Sequence, residues 1–196
     1  MLIIRSMIAL LLVCSLCFGQ SGHEQQWSLL AEKSNLLIVG TVEEILPIIR
    51  RDKMIAASKK SPEELRTLHS DDFFAGYMIR VRLDRQIKND SRTLLNKVIN
   101  IFITSNEYVR HGPVLRKGEQ SLMFLTTLKY KEDEFKGTTI SPSVAGKKKE
   151  EKFNPSLCYV VIGGAQGVER VTAKNSKSIE QFALEMKKAA PPTNKK

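Results

Sequence analysis

The sequence predicts a mainly β protein, closed as a small antiparallel barrel of five to six strands, with a helix before it, a short inserted helix and a helix after it. Two observations carry this expectation. Tyr77, Ile79, Val81 and Leu83 alternate with Met78, Arg80, Arg82 and Asp84, the period of two that marks a half-buried strand. Apolar runs of strand length recur over 36–45, 97–105, 121–129, 157–162 and 168–172. Closure into a barrel is the economical arrangement for such a set, because it removes exposed strand edges.

The composition agrees. The chain has 196 residues, 42% of them hydrophobic and 27% charged. That is too apolar for a disordered chain and too charged for a multispanning membrane protein. The three cysteines are too few for a disulfide-dense scaffold. The three histidines, His23, His69 and His111, are too far apart for a His/Cys metal cluster.

Residues 1–19 read as a secretory leader. Arg5 supplies the positive start, Met7 to Phe18 is apolar apart from Ser15, and Cys17 and Gly19 are small residues before a cleavage at Gln20. An uncleaved membrane anchor is the alternative, against which the apolar stretch is short. Cys14 and Cys17 follow Val13 and Leu16, which disfavours lipid attachment, since that wants a small residue before the cysteine. Cleavage leaves 30 basic and 21 acidic residues, a charge of +9, and Cys158 as the one cysteine. The expected location is extracytoplasmic, secreted or periplasmic.

The mature chain, 20–190, reads as a single domain with a disordered tail at 191–196. His23 to Asn35 is a helix with Trp27, Leu30 and Ala31 on one face and Ser34 a turn on. Leu36 to Ile45 is the first strand, with Gly40 marking a bulge or bend. Pro47 to Asp72 is a long inserted loop. It begins with a basic segment and then holds a helix from Pro62 to about His69, capped by Ser61 with Glu64 three residues on. The second strand spans Tyr77 to Arg85 and turns through Lys88-Asn89-Asp90. Lys97 to Ser105 places Ile99, Ile101 and Ile103 inward. Ser121 to Lys129 is the fourth strand. Residues 129–153 are dense in charge, with Lys147-Lys148-Lys149-Glu150-Glu151-Lys152 as a flexible loop. Leu157 to Ile162 is the fifth strand, and Gly163 to Gly167 turns the chain into Val168 to Thr172. Ser178 caps a last helix, with Ile179, Phe182 and Met186 on one stripe.

The strand count and the long loop after the first strand suit an OB-type barrel. Four segments also resemble the tissue-inhibitor-of-metalloproteinases/netrin-like family, in particular its secreted bacterial members. They are Leu37-Ile38-Val39-Gly40-Thr41-Val42, Val81 to Asn89, Leu115 to Leu125 with its Gly118-Glu119 turn, and Tyr159 to Val171, similar to that family's closing hairpin. The resemblance implies an OB-type fold over about residues 24–172. It carries protease inhibition only by analogy. Animal members chelate the protease zinc with an N-terminal cysteine, and here the expected N-terminus is Gln20. Asn89 stands where the family's turn has glycine.

No residue set composes an active site, so the expectation is a non-enzyme without cofactor or metal. Asp71-Asp72 lacks a nucleophile or metal set beside it. Gly163-Gly164 and Gly167 precede a strand rather than a helix, unlike a phosphate loop. Cys158 lies in an apolar run without a neighbouring base. What remains is binding. The leading expectation is recognition of an extracytoplasmic protein through the 47–72 loop and the barrel rim. The alternative is a polyanion, either an anionic glycan or a membrane surface, held by Arg50, Arg51, Lys53, Lys59 and Lys60 in the loop or by Arg80, Arg82, Arg85 and Lys88 along the second strand. Single-stranded nucleic acid fits less well, because the second and third strands offer only Phe102 as an outward stacking ring.

Overall fold

One long strand organises the sheet. In the computed structural model, which describes residues 22–66, 68, 70–90, 95–107, 115–141 and 151–189, β1 spans Leu36–Arg50. It is longer than its apolar run suggests, because Pro47 does not end it. Pro47 faces Tyr77 in the ladder, and its carbonyl accepts from the Ser141 N–H at 2.9 Å. Proline is tolerated where its missing N–H is not needed by a neighbour.

The first half of β1 pairs with β2 (Phe74–Asn89) on one edge and β4 (Gln120–Thr127) on the other. β2 pairs with β3 (Val98–Thr104), β3 with β7 (Cys158–Val161), and β7 with β4. These five strands form a ring within a mixed sheet of eight. The expected all-antiparallel arrangement of five to six strands is corrected on two points. The β3–β7 pair is parallel, and β5 (Thr138–Ile140) and β6 (Glu151–Lys152) are added to the expected strands, of which the last is β8 (Val168–Arg170). The expected hairpin over 159–171 is also corrected. β7 and β8 do not pair with each other; both lie antiparallel to β4, at Leu125–Thr127 and Ser121–Met123. The 3-10 turn Gly164–Gly167 therefore interrupts what is otherwise one line of chain along that edge.

Three apolar clusters follow from strand alternation. Inside the ring lie Leu36, Ile38, Ile79, Val81, Ile99, Ile101, Met123 and Leu125. The opposite faces of β1 and β4 present Leu37, Val39, Leu122 and Phe124 to two helices, α1 (Gly22–Lys33) and a C-terminal helix (Ser176–Ala189). That helix begins two residues before Ser178. Trp27 is buried there as a core plug, its ring 5.5 Å from that of Phe182. The third cluster joins Leu46, Ile48, Met78 and Phe102 to Phe135, Ile140 and Phe153. The expected loop over 129–153 is thus a packed excursion in its described parts. A 3-10 turn (Glu132–Phe135), β5 and the residue after β6 drop Phe135, Ile140 and Phe153 onto the outer face of β2 and β3.

The inserted segment also differs from its expectation. It starts at Arg51 as helix α2 (Arg51–Ala57), followed by α3 (Pro62–Leu65) and α4 (Ser70–Phe73). The capping box at α3 forms as expected: Ser61 Oγ accepts from Glu64 N, and Glu64 Oε2 accepts from Ser61 N at 2.8 Å. The helix is shorter than predicted and ends at Leu65. The leader 1–19, His69, His111, Lys147 to Glu150 and the tail 191–196 lie outside the described residues.

Candidate functional site

The nine cations singled out from the sequence fall into three environments. Arg80 and Arg82 project from one face of β2, as their alternation requires, but carboxylates meet them there. Arg80 is 2.9 Å from Glu44 and 3.2 Å from Glu151, and Arg82 Nε is 3.1 Å from Asp84. Asp84 also accepts from Thr41 Oγ1 at 2.6 Å and Gln120 Nε2 at 2.8 Å. Desolvation pushes the Asp84 carboxyl upward, but the hydrogen bonds from Gln120, Thr41 and Arg82 outweigh it and hold the pKa below the usual aspartate value. This patch is an ion-pair network, with local positive charge largely compensated.

Arg85 and Lys88 are separated from that patch by bulges between β1 and β2. In the ladder Arg85 faces Val39 and Lys88 faces Leu37, both members of the helix-covered cluster. Lys88 Nζ donates to the carbonyls of Ala31 at 2.8 Å and Ser34 at 2.7 Å, and sits 3.0 Å from Asp90. It closes the C-terminal end of α1, where carbonyls lack intrahelical partners and a cation is favoured. Its role is structural. Lys88→Met is expected to cost about 1.5–3 kcal/mol, the usual contribution of hydrogen bonds to a charged group. Urea denaturation followed by Trp27 fluorescence measures it.

The third group gathers around α2. Arg50 is the last residue of β1, with its Nε buried and unpartnered among the described residues. Arg51 and Lys53 lie on α2, and Lys59 and Lys60 in the turn after it, all four exposed. Two apolar side chains stand among them in solvent: Met54 is 48% and Ile55 53% exposed. The helix is held in place all the same. Ala57 is buried, and the Arg51 N–H donates to Gly137 O at 3.1 Å, tying α2 to the chain just before β5. The sequence marked this segment as basic; its helicity and its paired apolar side chains emerge from the fold.

A group that the sequence did not single out lies beside it. Tyr130, Lys136 and Lys152 border a groove of about 480 Å³ with Phe135, Phe153 and Asn154. The signal available in the sequence was two lone phenylalanines inside a charged stretch, which anchor the excursion to the core.

Phe102 is 3% exposed and packs edge-on against Phe135, so it offers no stacking surface. Burial pushes the Cys158 thiol up to about 12, far from thiolate chemistry at neutral pH. Gly163, at φ 73°, opens the turn into β8. Among the described residues no group of three or more His, Cys, Asp or Glu could hold a metal ion, and no helix is long and apolar enough to cross a membrane. Compared with protein-family models, curated proteins and solved structures, the chain matches none.

Proposed function

We propose that the five-strand ring is an OB-type barrel and that the protein is an exported, non-catalytic module that recognises an acidic-rimmed protein partner with α2. The ring order β1-β2-β3-β7-β4, closed by β1–β4, supports the barrel reading. The leader-like residues 1–19 support export. The docking reading rests on one observation. Met54 and Ile55 are exposed on a helix anchored by Ala57 and the Arg51–Gly137 hydrogen bond, and Arg51, Lys53, Lys59 and Lys60 surround them. A preformed apolar pair loses little entropy on binding, and a basic surround complements an acidic rim.

A photo-crosslinking residue at position 54 or 55, with position 184 as an exposed control, tests the reading. The expected result is one discrete adduct from 54 and 55, absent from 184 and lost when Lys53 and Lys59 become glutamate. Equal labelling from all three positions, or none, overturns it.

A further inference from the structure

The groove beside α2 has the composition of a ligand site, and its chemistry differs from that of the helix. Tyr130 keeps 37% of its surface exposed, although its ring belongs to an aromatic chain that reaches the core. It meets Phe135 edge-on at 6.2 Å, and Phe135 meets Phe153 and Phe102 at 5.3 Å each. Tyr130 is therefore backed by buried rings on one side and open on the other. Such a ring is orientated before any ligand arrives, so little entropy is lost on stacking.

The charges on the two sides of Tyr130 are unlike. The hollow on one side is bordered by Lys129 and Lys131 but also by Asp133 and Glu134. The groove on the other side has Lys136 and Lys152, with no carboxylate among its described lining residues; Asp52 of α2 lies behind Gly137 at its margin. The neighbouring acid in β6, Glu151, is turned to Arg80. Neither Lys136 nor Lys152 has an ion pair among the described residues, and both are exposed. Asn154 completes the set. Its carboxamide oxygen accepts from Ser156 N at 3.1 Å and Ser156 Oγ at 2.6 Å, which fixes the amide and leaves its NH₂ end as a donor.

We propose that this groove binds an anionic saccharide, with one sugar ring on the face of Tyr130 and its carboxylate or sulfate between Lys136 and Lys152. An aromatic face carries partial negative charge and attracts the weakly positive C–H bonds of a pyranose face. Two lysines hold an anionic substituent, and an amide donor reads a hydroxyl. The volume lies within the range of small-ligand sites. A single exposed ring suits one sugar better than a nucleic acid strand, which stacks successive bases on several aromatics. The site is independent of the α2 reading, since none of Met54, Ile55, Lys53 or Lys59 forms its walls.

Calorimetry at low salt with an oligogalacturonate, a neutral maltooligosaccharide and an oligothymidylate tests this. The expected result is binding of the oligogalacturonate and little of the neutral oligomer. Tyr130→Ala and the pair Lys136→Ala/Lys152→Ala should each weaken binding by about tenfold or more, a change that one good contact accounts for. Arg82→Ala, which leaves the Arg80–Glu151 pair in place, should leave it unchanged. All four positions are at the surface, and thermal melts confirm that each variant folds. No binding of the oligogalacturonate, binding indifferent to Tyr130→Ala, or tighter binding of the oligothymidylate through the same residues would each overturn the proposal.

Discussion

Replacing Phe102 by alanine will destabilise the protein by about 3–5 kcal/mol, the usual range for emptying a buried phenylalanine site. At roughly 2–4 °C per kcal/mol for a chain of this size, the thermal midpoint falls by roughly 6–20 °C. The reason is Phe102's position. It sits on β3 facing outward from the ring, and its neighbours there are Phe135 and Phe153, both delivered by the 129–153 excursion. Phe135 ends a four-residue 3-10 turn and Phe153 follows the two-residue β6, so both are carried by short elements with few backbone bonds of their own. The excursion cannot follow Phe102's loss by collapsing inward without breaking the Ile48–Ile140 ladder. A second consequence follows for the groove, because Phe135 backs Tyr130. Phe102→Ala should lower saccharide affinity at temperatures where the protein is still folded. Differential scanning calorimetry gives the first effect and titration below the transition the second. A melting shift below about 3 °C, equivalent to no more than 1–1.5 kcal/mol, would mean that the excursion is not packed as described.

Gly40→Val is expected to cost about 4 kcal/mol or more, with Gly40→Ala intermediate. The cause is space, because Gly40 is not among the glycines with positive φ. A Cβ at this position lies 2.5 Å from Val81 Cγ1 and 2.8 Å from the carbonyl oxygen of Arg82. The valine methyl could move by a rotamer change, but the carbonyl is backbone in the adjacent strand. Gly40 also occupies the β1–β2 bulge and faces Ser121 of β4 across its other edge. Bulk there pushes apart two strands at the point where the ring closes. Guanidinium denaturation of both variants, compared through midpoint and slope, measures the effect. Equal stability of wild type and Gly40→Val would refute this close approach of strands.

The elements that could be read from sequence are those whose signal is local. Ile79 and Val81 turn into the ring and Arg80 and Arg82 outward, as the period of two requires. Trp27, Leu30 and Ala31 bury one face of α1, and Ile179 and Phe182 one face of the last helix. Ser61 and Glu64 form their capping box three residues apart. Each of these rests on residues close together along the chain. The sites were less legible. The basic segment from Arg50 to Lys60 was visible as charge, but the exposure of Met54 and Ile55 depends on which face of a seven-residue helix packs down. Tyr130 was invisible as a site, because nothing in its own neighbourhood distinguishes a backed, half-exposed ring from a solvated one.

The sequence by itself therefore determined where most strands and the two flanking helices lie, and which of their side chains enter a core. Apolar periodicity and capping are short-range properties. The tertiary structure alone decided the rest. The parallel β3–β7 pair joins Asn100 to Cys158, and the ion pair that neutralises Arg80 brings in Glu151 from 71 residues away. Lys88 was a cation like its neighbours until the fold placed the carbonyls of Ala31 and Ser34 against it. The worth of a charge or a ring depends on what desolvates or pairs it, and for these residues the partners are brought from distant parts of the chain.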